Sequence, residues 1–580
     1  MKKWEVQKQL TINNSQLTIE KIVNLLLENR GIKTAKEREE FLNPQLKAVT
    51  PRTVGIDVVQ LKQALVRIKK AIENKEQIIV FGDYDVDGIT GAAILWETLH
   101  LLGADVMPYI PHRVDEGYGL SVKALESKEL LALQPKLIIT VDNGIVANDA
   151  VIFANKKNID VIITDHHTVG ALQPEAFAIV HTTKLCGAGV AYLLAQELRV
   201  GGGELGNEGD AHLELAALGT VADMVPLQGA NRAIVKYGLE KLSKTGRYGL
   251  LALFKQARLE KEAYGVYDIG FVIAPRLNAA GRIESAMDSL RLLCTKDAKR
   301  AEVLSEKLEL INRERQVLMK AATEHAKAGV RSLGLEARKL LFVADGSYPQ
   351  GVIGLVAGKL VEEFYRPSIV VAIGEKYSKA SVRSVSGFNI VEFLRSASEY
   401  FVNLGGHPMA AGFTVETEKL SALKTFLEER AEKAITDTML AKALRIDCEL
   451  PLSLITPDLY NMLQSLAPFG MGNPEPVFVT KKVVIESLKA LGAEGKHLKL
   501  ILSYRHSGEG SDSRIRNERD SGQARMTESF EAIGFGMGEL AMQIKKGDEI
   551  DVVYAIDENT WNGNTKLQLK LKDIHFVSKS

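Results

Sequence analysis

Runs of apolar residues that alternate with helical patterns dominate the first half of the chain. Ile78–Phe81 has no polar position, and the residues after Gly88 show helical periodicity. An apolar run without alternation is typical of a strand buried on both faces of a parallel sheet. Three more runs read as strands, each separated from the next by a helix: Asp105–Ile110, Lys136–Val141 and Asp160–Thr164. The pattern therefore predicts an α/β fold with a doubly wound parallel sheet.

The rest of the chain changes its pattern at several points. Ile19–Leu27 and Ala35–Leu42 suggest short helices, and Asp297 to about Ala328 reads as one long helix without Pro or Gly. We predict five regions: a helical segment at 1–50, the doubly wound domain at 51–230, a helical region with a connector helix at 231–335, a second α/β domain at 336–435, and a β-barrel at 445–580.

The barrel region contains short alternating strands with glycine-rich turns. The predicted strands are Val477–Val479, Val483–Leu488, Leu498–Ser503, Glu531–Gly536, Asp548–Ala555 and Lys566–Phe576. A polar, hydrophobe-poor run at about 504–528 is typical of a disordered insertion. A small barrel that binds single-stranded nucleic acid does so through a basic groove and aromatic stacking. The candidates are Phe478, Tyr554, Trp561, Lys496, His497 and Lys499, although the aromatic residues could instead belong to the core.

Acidic residues and histidines follow the predicted strands of the first domain. Asp83, Asp85 and Asp87 follow the first strand, Asp142 follows the third, and Asp165-His166-His167 follows the fourth. A single acidic turn or a lone histidine pair is more often structural. Because parallel strands bring their carboxyl ends to one edge, however, these groups should converge there. Carboxylates packed together repel one another, so a divalent cation is the natural partner.

Asp223 lies in the otherwise apolar segment Leu213–Leu227, which we predict to be a helix that breaks at Gly219. A buried carboxylate without a partner is costly, so Asp223 should be hydrogen-bonded, protonated or bound to metal. As a further acidic contribution it would complete a site for two hard cations with some imidazole character.

The composition limits the binding partners, the cysteine chemistry and the cellular location that the sequence can predict. Lys and Arg together number 73, as do Asp and Glu, so the formal net charge is zero. Because no overall positive charge attracts nucleic acid, any contact with it requires a local basic groove. The three cysteines are far apart and indicate buried thiols rather than a disulfide framework or a zinc cluster. No apolar leader or membrane-spanning stretch is present in the sequence, so we predict a cytoplasmic protein with no membrane contact.

Four motifs in this order resemble those of the DHH phosphoesterase superfamily: GDYDVDG, VDNG, TDHH and GTVADMVPL. The rest of the chain narrows the resemblance to the bacterial RecJ family. The resemblance implies an exonuclease specific for single-stranded DNA that acts from the 5′ end in DNA repair and recombination. It also implies two divalent cations, usually Mn²⁺ with Mg²⁺ as the alternative, and a single-strand-binding protein and a helicase as candidate partners.

The resemblance assigns roles to individual residues. It implies metal ligation by Asp85, Asp87, Asp142, His166 and Asp223, with Asp142 as the bridge between both cations. It places His167 and His407 close to the scissile phosphate, and it gives Asp83 and Asp165 supporting roles. Contacts to substrate phosphates fall to Arg276, Asn278, Arg282, Ser381, Arg383, Gly405 and Gly406, and Arg113 could face the same cleft. The second α/β domain then corresponds to the DHH-associated domain DHHA1, and the barrel to an OB-fold.

Two alternatives remain open at this stage. A catalytically silent scaffold that binds single strands could keep the fold, but it would be expected to lose acids from the motifs, and here all are present. A small-substrate DHH phosphodiesterase or phosphatase would not need the barrel and would be much shorter than this chain.

Overall fold

The computed structural model describes residues 3–7, 18–112, 116–117, 119–200, 211–504, 529–561 and 564–576. The chain forms two compact units. The central unit comprises residues 44–441 and 470–472, and the terminal unit comprises residues 1–43, 442–469 and 473–580. Among the described helices, none is both long enough and apolar enough to cross a membrane. The finer domain boundaries given above remain predictions.

The secondary structure follows in chain order. The strands are β1 (Lys3–Val6), β2 (Ile78–Gly82), β3 (Val106–Tyr109), β4 (Leu137–Val141), β5 (Asp160–Asp165), β6 (Ala178–His181), β7 (Leu341–Asp345), β8 (Ser368–Ala372), β9 (Tyr377–Arg383), β10 (Phe401–His407), β11 (Ala410–Glu416), β12 (Ala443–Ile446), β13 (Cys448–Glu449), β14 (Phe478–Leu491), β15 (His497–Tyr504), β16 (Ser529–Gly534), β17 (Glu549–Trp561) and β18 (Asn564–Phe576). The helices are α1 (Ile19–Asn29), α2 (Ala35–Leu42), α3 (Pro51–Val54), α4 (Val58–Glu73), α5 (Val86–Leu101), α6 (Val122–Leu125), α7 (Lys128–Ala132), α8 (Asn148–Lys156), α9 (Gly187–Val200), α10 (Leu213–Ala222), α11 (Gly229–Leu242), α12 (Tyr248–Ala257), α13 (Val266–Asp268), α14 (Ala274–Ile283), α15 (Met287–Cys294), α16 (Ala298–Ser332), α17 (Ile353–Phe364), α18 (Ile390–Arg395), α19 (Leu420–Ala434) and α20 (Pro457–Gln464). A π-helical turn at Ile269–Ile273 runs into α14.

The first sheet of the central unit is parallel throughout, in the order β3-β2-β4-β5-β6. Ile78 and Val80 of β2 pack into the core on one face, whereas Ile79 and Phe81 pack into a second core on the other face. This confirms the predicted strand buried on both faces. The order of strands reverses between β2 and β4, and open α/β sheets bind their ligands at such a reversal.

Helix α10 passes straight through Gly219, so the predicted break at this residue is wrong. A Cβ atom on Gly219 would lie 2.5 Å from the Cβ atom of Ala188 and 2.6 Å from Oδ1 of Asp87. Glycine at this position therefore allows α10 to approach its neighbours closely. A glycine inside a helical pattern can mark close packing as well as a helix end.

The predicted connector is α16, a single helix of 35 residues capped by Asp297. Its C-terminal half shares a core with the second sheet, in which Ala326 packs with Val343 of β7 and Val356 of α17. That sheet has the order β10-β11-β9-β8-β7, with β7 and β8 parallel and the other pairs antiparallel.

In the terminal unit, strands β14, β15, β16, β18 and β17 close into a barrel through pairing of β14 with β17. Two predicted strands, Val477–Val479 and Val483–Leu488, are one strand with a register shift near Lys482, whose φ is +57°. Helices α1 and α2 contribute Ile22 and Phe41 to the same core.

The barrel aromatic residues Phe478 and Tyr554 are fully buried, and the Tyr554 hydroxyl hydrogen-bonds to Thr480 at 2.7 Å. They belong to the core, so their use as stacking surfaces for bases is not supported. Lys499 forms an ion pair with Glu531 at 2.7 Å. The side chain of Trp561 and the predicted insertion from residue 505 to 528 lie outside the described residues.

Candidate metal centre

The acidic loop after β2 leads directly into α5. Asp85 caps this helix, because its Oδ1 accepts hydrogen bonds from the backbone N–H groups of Asp87 at 3.0 Å and Gly88 at 3.2 Å. A Cβ atom on Gly88 would lie 2.6 Å from the backbone nitrogen of Asp83. The turn therefore requires glycine there, and it brings three carboxylates to one edge of the sheet.

Asp142 follows β4 with a φ of +65°, a strained value for a residue other than glycine. The side chain is only 4% exposed. The next residue, Asn143, ties the neighbouring strand ends together, because its amide donates to the carbonyl oxygens of Val141 at 2.8 Å and Phe81 at 3.3 Å. Strained backbone of this kind persists where the surroundings fix it, which is common at functional sites.

Asp165, the last residue of β5, binds the two histidines that follow it. Its Oδ1 accepts from the backbone N–H of His166 at 2.7 Å, and it lies 2.7 Å from Nδ1 of His167. Its Oδ2 accepts from the backbone N–H of Ile145 at 2.9 Å. Burial alone would raise the pKa of Asp165, but the hydrogen bonds and charge of His167 hold it below its ordinary value. Asp165 is therefore arranged to orient His167.

Asp223 is the residue that ends α10, and its Oδ2 lies 3.6 Å from Nε2 of His166. The chain beyond it is held within the central unit, because the backbone N–H of Leu227 donates to the carbonyl of Met471 at 2.7 Å and the Gln228 amide donates to the carbonyl of Gly472 at 2.9 Å. The segment at residues 470–472 thus supports the residues that follow Asp223, a contact with no signal in the sequence.

The candidate ligand atoms converge around His166. Its Nε2 lies 3.1 Å from Asp142, 3.6 Å from Asp223 and 3.8 Å from Asp87. Within the described part of the chain, three sets of side chains each bring their ligand atoms within 4.8 Å of one another: Asp87, His166 and Asp223; Asp83, Asp85 and Asp142; and Asp142, His166 and His167. Asp142 and His166 each belong to two sets. The structure also brings Asp83 and His167 within reach of a cation.

The electrostatics of this cluster favour a bound cation. Burial, with the charges of Asp87 and Asp85, raises the pKa of Asp223 to about 9. Burial and the same neighbours raise the pKa of Asp142 well above its ordinary value. Carboxylates that resist ionisation because other carboxylates surround them are relieved by positive charge. The oxygen-rich donor set with one or two imidazoles fits Mn²⁺ or Mg²⁺.

His407, at the end of β10, lies beside this cluster. Its ring centre is 6.1 Å from that of His167, with the two planes inclined by 20°. Burial and the neighbouring His167 lower the pKa of His407. Gly406, with a φ of +143°, lies so close to β11 that a Cβ atom would be 2.4 Å from the carbonyl oxygen of Ala410. A Cβ atom on Gly405 would meet none of the described atoms within 4 Å.

The residues expected to contact substrate phosphates separate into two groups. Arg282 and Ser381 line one cavity of about 290 Å³. Arg383 lies beside it and donates to Oγ of Ser381 at 3.3 Å. The same cavity is lined by Tyr84, Gln350, Lys379 and Asn403, which sequence reasoning missed.

The side chains of Arg276 and Asn278 form hydrogen bonds within the protein. Nε of Arg276 donates to Oε2 of Glu309 at 2.8 Å, so its charge is balanced by α16. The side-chain oxygen of Asn278 accepts from the backbone N–H of Val86 at 3.0 Å and so supports the acidic loop. Geometry therefore favours a structural role for Arg276. Arg113 lies outside the described residues.

Comparison with known proteins gives three matching domain families. The DHH family, N-terminal domain, matches residues 77–220, and the DHHA1 domain matches residues 335–433. The RecJ OB domain matches residues 446–512 and 514–573. A single-stranded-DNA-specific exonuclease RecJ of Bacillus subtilis is 36% identical over 98% of this chain and 70% of its own length. The chain belongs to the RecJ family.

Solved RecJ structures confirm the fold class. RecJ from Thermus thermophilus in complex with Mn²⁺ superposes with a TM-score of 0.80 and 31% identity, covering 99% of this chain and 80% of that one. The same protein in complex with Mg²⁺ gives a TM-score of 0.73 and 29% identity, with 99% and 79% covered. The predicted family, parallel-sheet domain, DHHA1 domain and OB-type barrel are thereby confirmed.

Proposed function

We propose that this chain is a metal-dependent exodeoxyribonuclease that degrades single-stranded DNA from the 5′ end. The observation that carries the proposal is the convergence of Asp85, Asp87, Asp142, His166 and Asp223 in overlapping sets of candidate ligand atoms, in a chain of the RecJ family. Its B. subtilis relative is described as specific for single-stranded DNA. We infer the same substrate here, and the same setting in DNA repair and recombination.

Two divalent cations would be held by this cluster, with Mn²⁺ favoured and Mg²⁺ as the alternative. Asp142 and His166 each belong to two of the three sets of converging ligand atoms, and we assign Asp142 as the residue shared by both cations because a carboxylate offers two oxygen atoms whereas an imidazole nitrogen offers one lone pair. Such a pair of cations supplies a water of lowered pKa and stabilises the charge on the leaving oxygen. Asp83 completes the carboxylate set beside Asp85 and Asp142.

His167 and His407 are assigned to the scissile phosphate. Asp165 keeps Nδ1 of His167 in place. Burial of His167 alone would lower its pKa, but the hydrogen bond and negative charge of Asp165 hold that pKa above the ordinary value. A protonated imidazole in this position would hydrogen-bond to a phosphate oxygen. His407 approaches the same place from the DHHA1 domain.

We assign the cavity of Arg282 and Ser381 to a phosphate of the strand, together with Arg383 and the backbone at Gly405 and Gly406. A guanidinium group grips phosphate through paired hydrogen bonds, and glycine lets backbone N–H groups come close. Arg113 remains a proposal from sequence alone. A single-strand-binding protein and a helicase are candidate partners, and a cytoplasmic location would give access to DNA.

The test is digestion of labelled oligonucleotides with Mn²⁺ or Mg²⁺. A 5′-labelled single strand should release its label as a mononucleotide from the first time point, whereas a 3′-labelled strand should shorten gradually. Duplex DNA and single-stranded RNA of the same sequence serve as matched controls and should be degraded far more slowly. Equal cleavage of duplex, or slow loss of the 5′ label, would contradict the proposal. Cleavage of dinucleotides alone would favour the small-substrate phosphodiesterase.

A further inference from the structure

The N-terminus of α9 holds one of the candidate metal ligands. The backbone N–H of Gly187 donates to Oδ2 of Asp87 at 2.6 Å, and that of Ala188 donates to Oδ1 at 2.8 Å. The first N–H groups of a helix carry partial positive charge and suit a carboxylate. Both oxygens of Asp87 are therefore fixed by the backbone of a different helix from its own.

Gly187 also lies against Asp142. A Cβ atom on Gly187 would lie 2.5 Å from the Cβ atom of Asp142 and 2.8 Å from its Oδ1. The Asp142 side chain is short, buried and attached to strained backbone, so it has little room to move away. Any larger residue at position 187 would shift either the carboxylate or the helix.

Two further glycines meet the same turn of α9. A Cβ atom on Gly91 of α5 would lie 2.6 Å from Cγ1 of Val141 and 3.1 Å from Cα of Ala188. A Cβ atom on Gly219 of α10 would collide with Ala188 and with Oδ1 of Asp87. We call Gly91, Gly187 and Gly219 the glycine junction, because at these positions α5, α9 and α10 approach one another too closely for a Cβ atom to fit between them.

Cys186 completes this arrangement. Its side chain is fully buried, Sγ lies 3.4 Å from the hydroxyl of Thr220, and Sγ accepts from the backbone N–H of Gly189 at 3.4 Å. Asp87 is therefore held by the backbone N–H groups of residues 187 and 188, and the Cys186 side chain joins the start of α9 to Thr220 of α10.

We infer that residues 186–188 and the glycine junction position the metal centre, by fixing Asp87 and Asp142 at the separation that the cations require. The inference rests on the proposed function, because it takes these two aspartates as metal ligands. Groups that hold metal ligands in place typically account for 10- to 100-fold in metal affinity. Cys186 and Gly187 are accordingly positioning residues rather than catalytic ones.

The direct test is the Mn²⁺ affinity of Gly187→Ala, measured by electron paramagnetic resonance titration of the full chain. We expect affinity to fall by about 10- to 100-fold, with kcat lowered and KM for the strand unchanged. Gly189→Ala is the matched control on the same helix, because its Cβ would meet the Leu185 side chain at 3.1 Å rather than a carboxylate. It should bind Mn²⁺ as the unmodified chain does.

Cys186→Ala tests the same inference without adding an atom. If circular dichroism shows that Gly187→Ala is unfolded, Cys186→Ala is the variant that tests the inference. It should weaken Mn²⁺ binding by about tenfold. Either variant, folded and with unchanged Mn²⁺ affinity, would overturn the inference. The affinity measurement requires no nuclease activity. A chain that binds Mn²⁺ but cleaves no DNA would overturn the proposed function and leave the positioning role to be judged by affinity.

Discussion

Nε2 of His166 lies 3.1 Å from Oδ1 of Asp142, although the two residues follow different strands. Strands β4 and β5 are parallel neighbours, so the residues after them meet at one edge of the sheet. This contact joins two of the three sets of converging ligand atoms. Strand order thus brings the residues of the candidate metal centre together, and the number of carboxylates that it gathers determines the electrostatic repulsion among them.

The first prediction concerns stability and pH in the metal-free protein. The folded-state pKa values of Asp85, Asp142 and Asp223 all lie above their ordinary value of 3.8. Their contribution to stability is therefore fully present below that value and is lost as the pH rises through the folded values, about 9 for Asp223. Because bound Mn²⁺ relieves this repulsion, Mn²⁺ should raise Tm more near pH 8 than near pH 6.

Asp142→Asn is the control for that prediction. Removing one charge from the cluster should make the metal-free variant more stable than the unmodified chain near pH 8, and Mn²⁺ should then add less. Differential scanning calorimetry at both pH values measures this. An equal gain in Tm at the two pH values would show that the clustered carboxylates do not govern stability.

The second prediction concerns the arginines. Arg383→Ala should weaken binding of single-stranded DNA and flatten the slope of log affinity against log salt by about 0.7, the value for one lost phosphate contact. Arg276→Ala is the matched comparison, because Glu309 already balances its charge. It should lower Tm and leave the salt slope unchanged. A flattened slope for Arg276→Ala alone would reverse the two assignments.

The third prediction concerns the terminal unit. A chain restricted to residues 44–441 keeps the cores of both central sheets, because those cores draw only on residues inside this range. It lacks residues 470–472, which support the residues after Asp223, so it should cleave dinucleotides more slowly than the full chain but lose far more of its activity on long single strands. Remote binding energy helps only substrates long enough to reach it. Equal loss of both activities in a folded protein would exclude strand binding by the barrel.

The convergence of the acidic and histidine side chains could be predicted from the sequence because these residues follow strand ends, which short apolar runs locate. Asp83, Asp142 and His166 are far apart in the chain, yet each directly follows a buried strand or lies one residue beyond it. In a parallel sheet, residues that follow the strands lie together at the carboxyl edge of the sheet. The same reasoning gave β2, β4 and β5 to within a residue or two.

The sequence could not predict features that depend on distant partners. Nothing near Arg276 indicates that Glu309 of α16 will neutralise it. Phe478 and Tyr554 occupy strand positions that could face either side, and only barrel closure shows that both point into the core. Gly219 predicts a helix break in the sequence, whereas in the structure it allows close contact with Ala188 on another helix.

The most direct test of the two-cation account is cleavage of 5′-labelled single-stranded DNA by Asp142→Ala across a wide range of Mn²⁺ concentration. Asp142 belongs to two sets of ligand atoms, so its loss should disable both cation positions, and added Mn²⁺ should not restore cleavage. The folded state of the variant is checked by circular dichroism. We predict no detectable mononucleotide at any Mn²⁺ concentration. Recovery of activity at high Mn²⁺ would contradict the account, because it would make Asp142 a peripheral ligand of one cation.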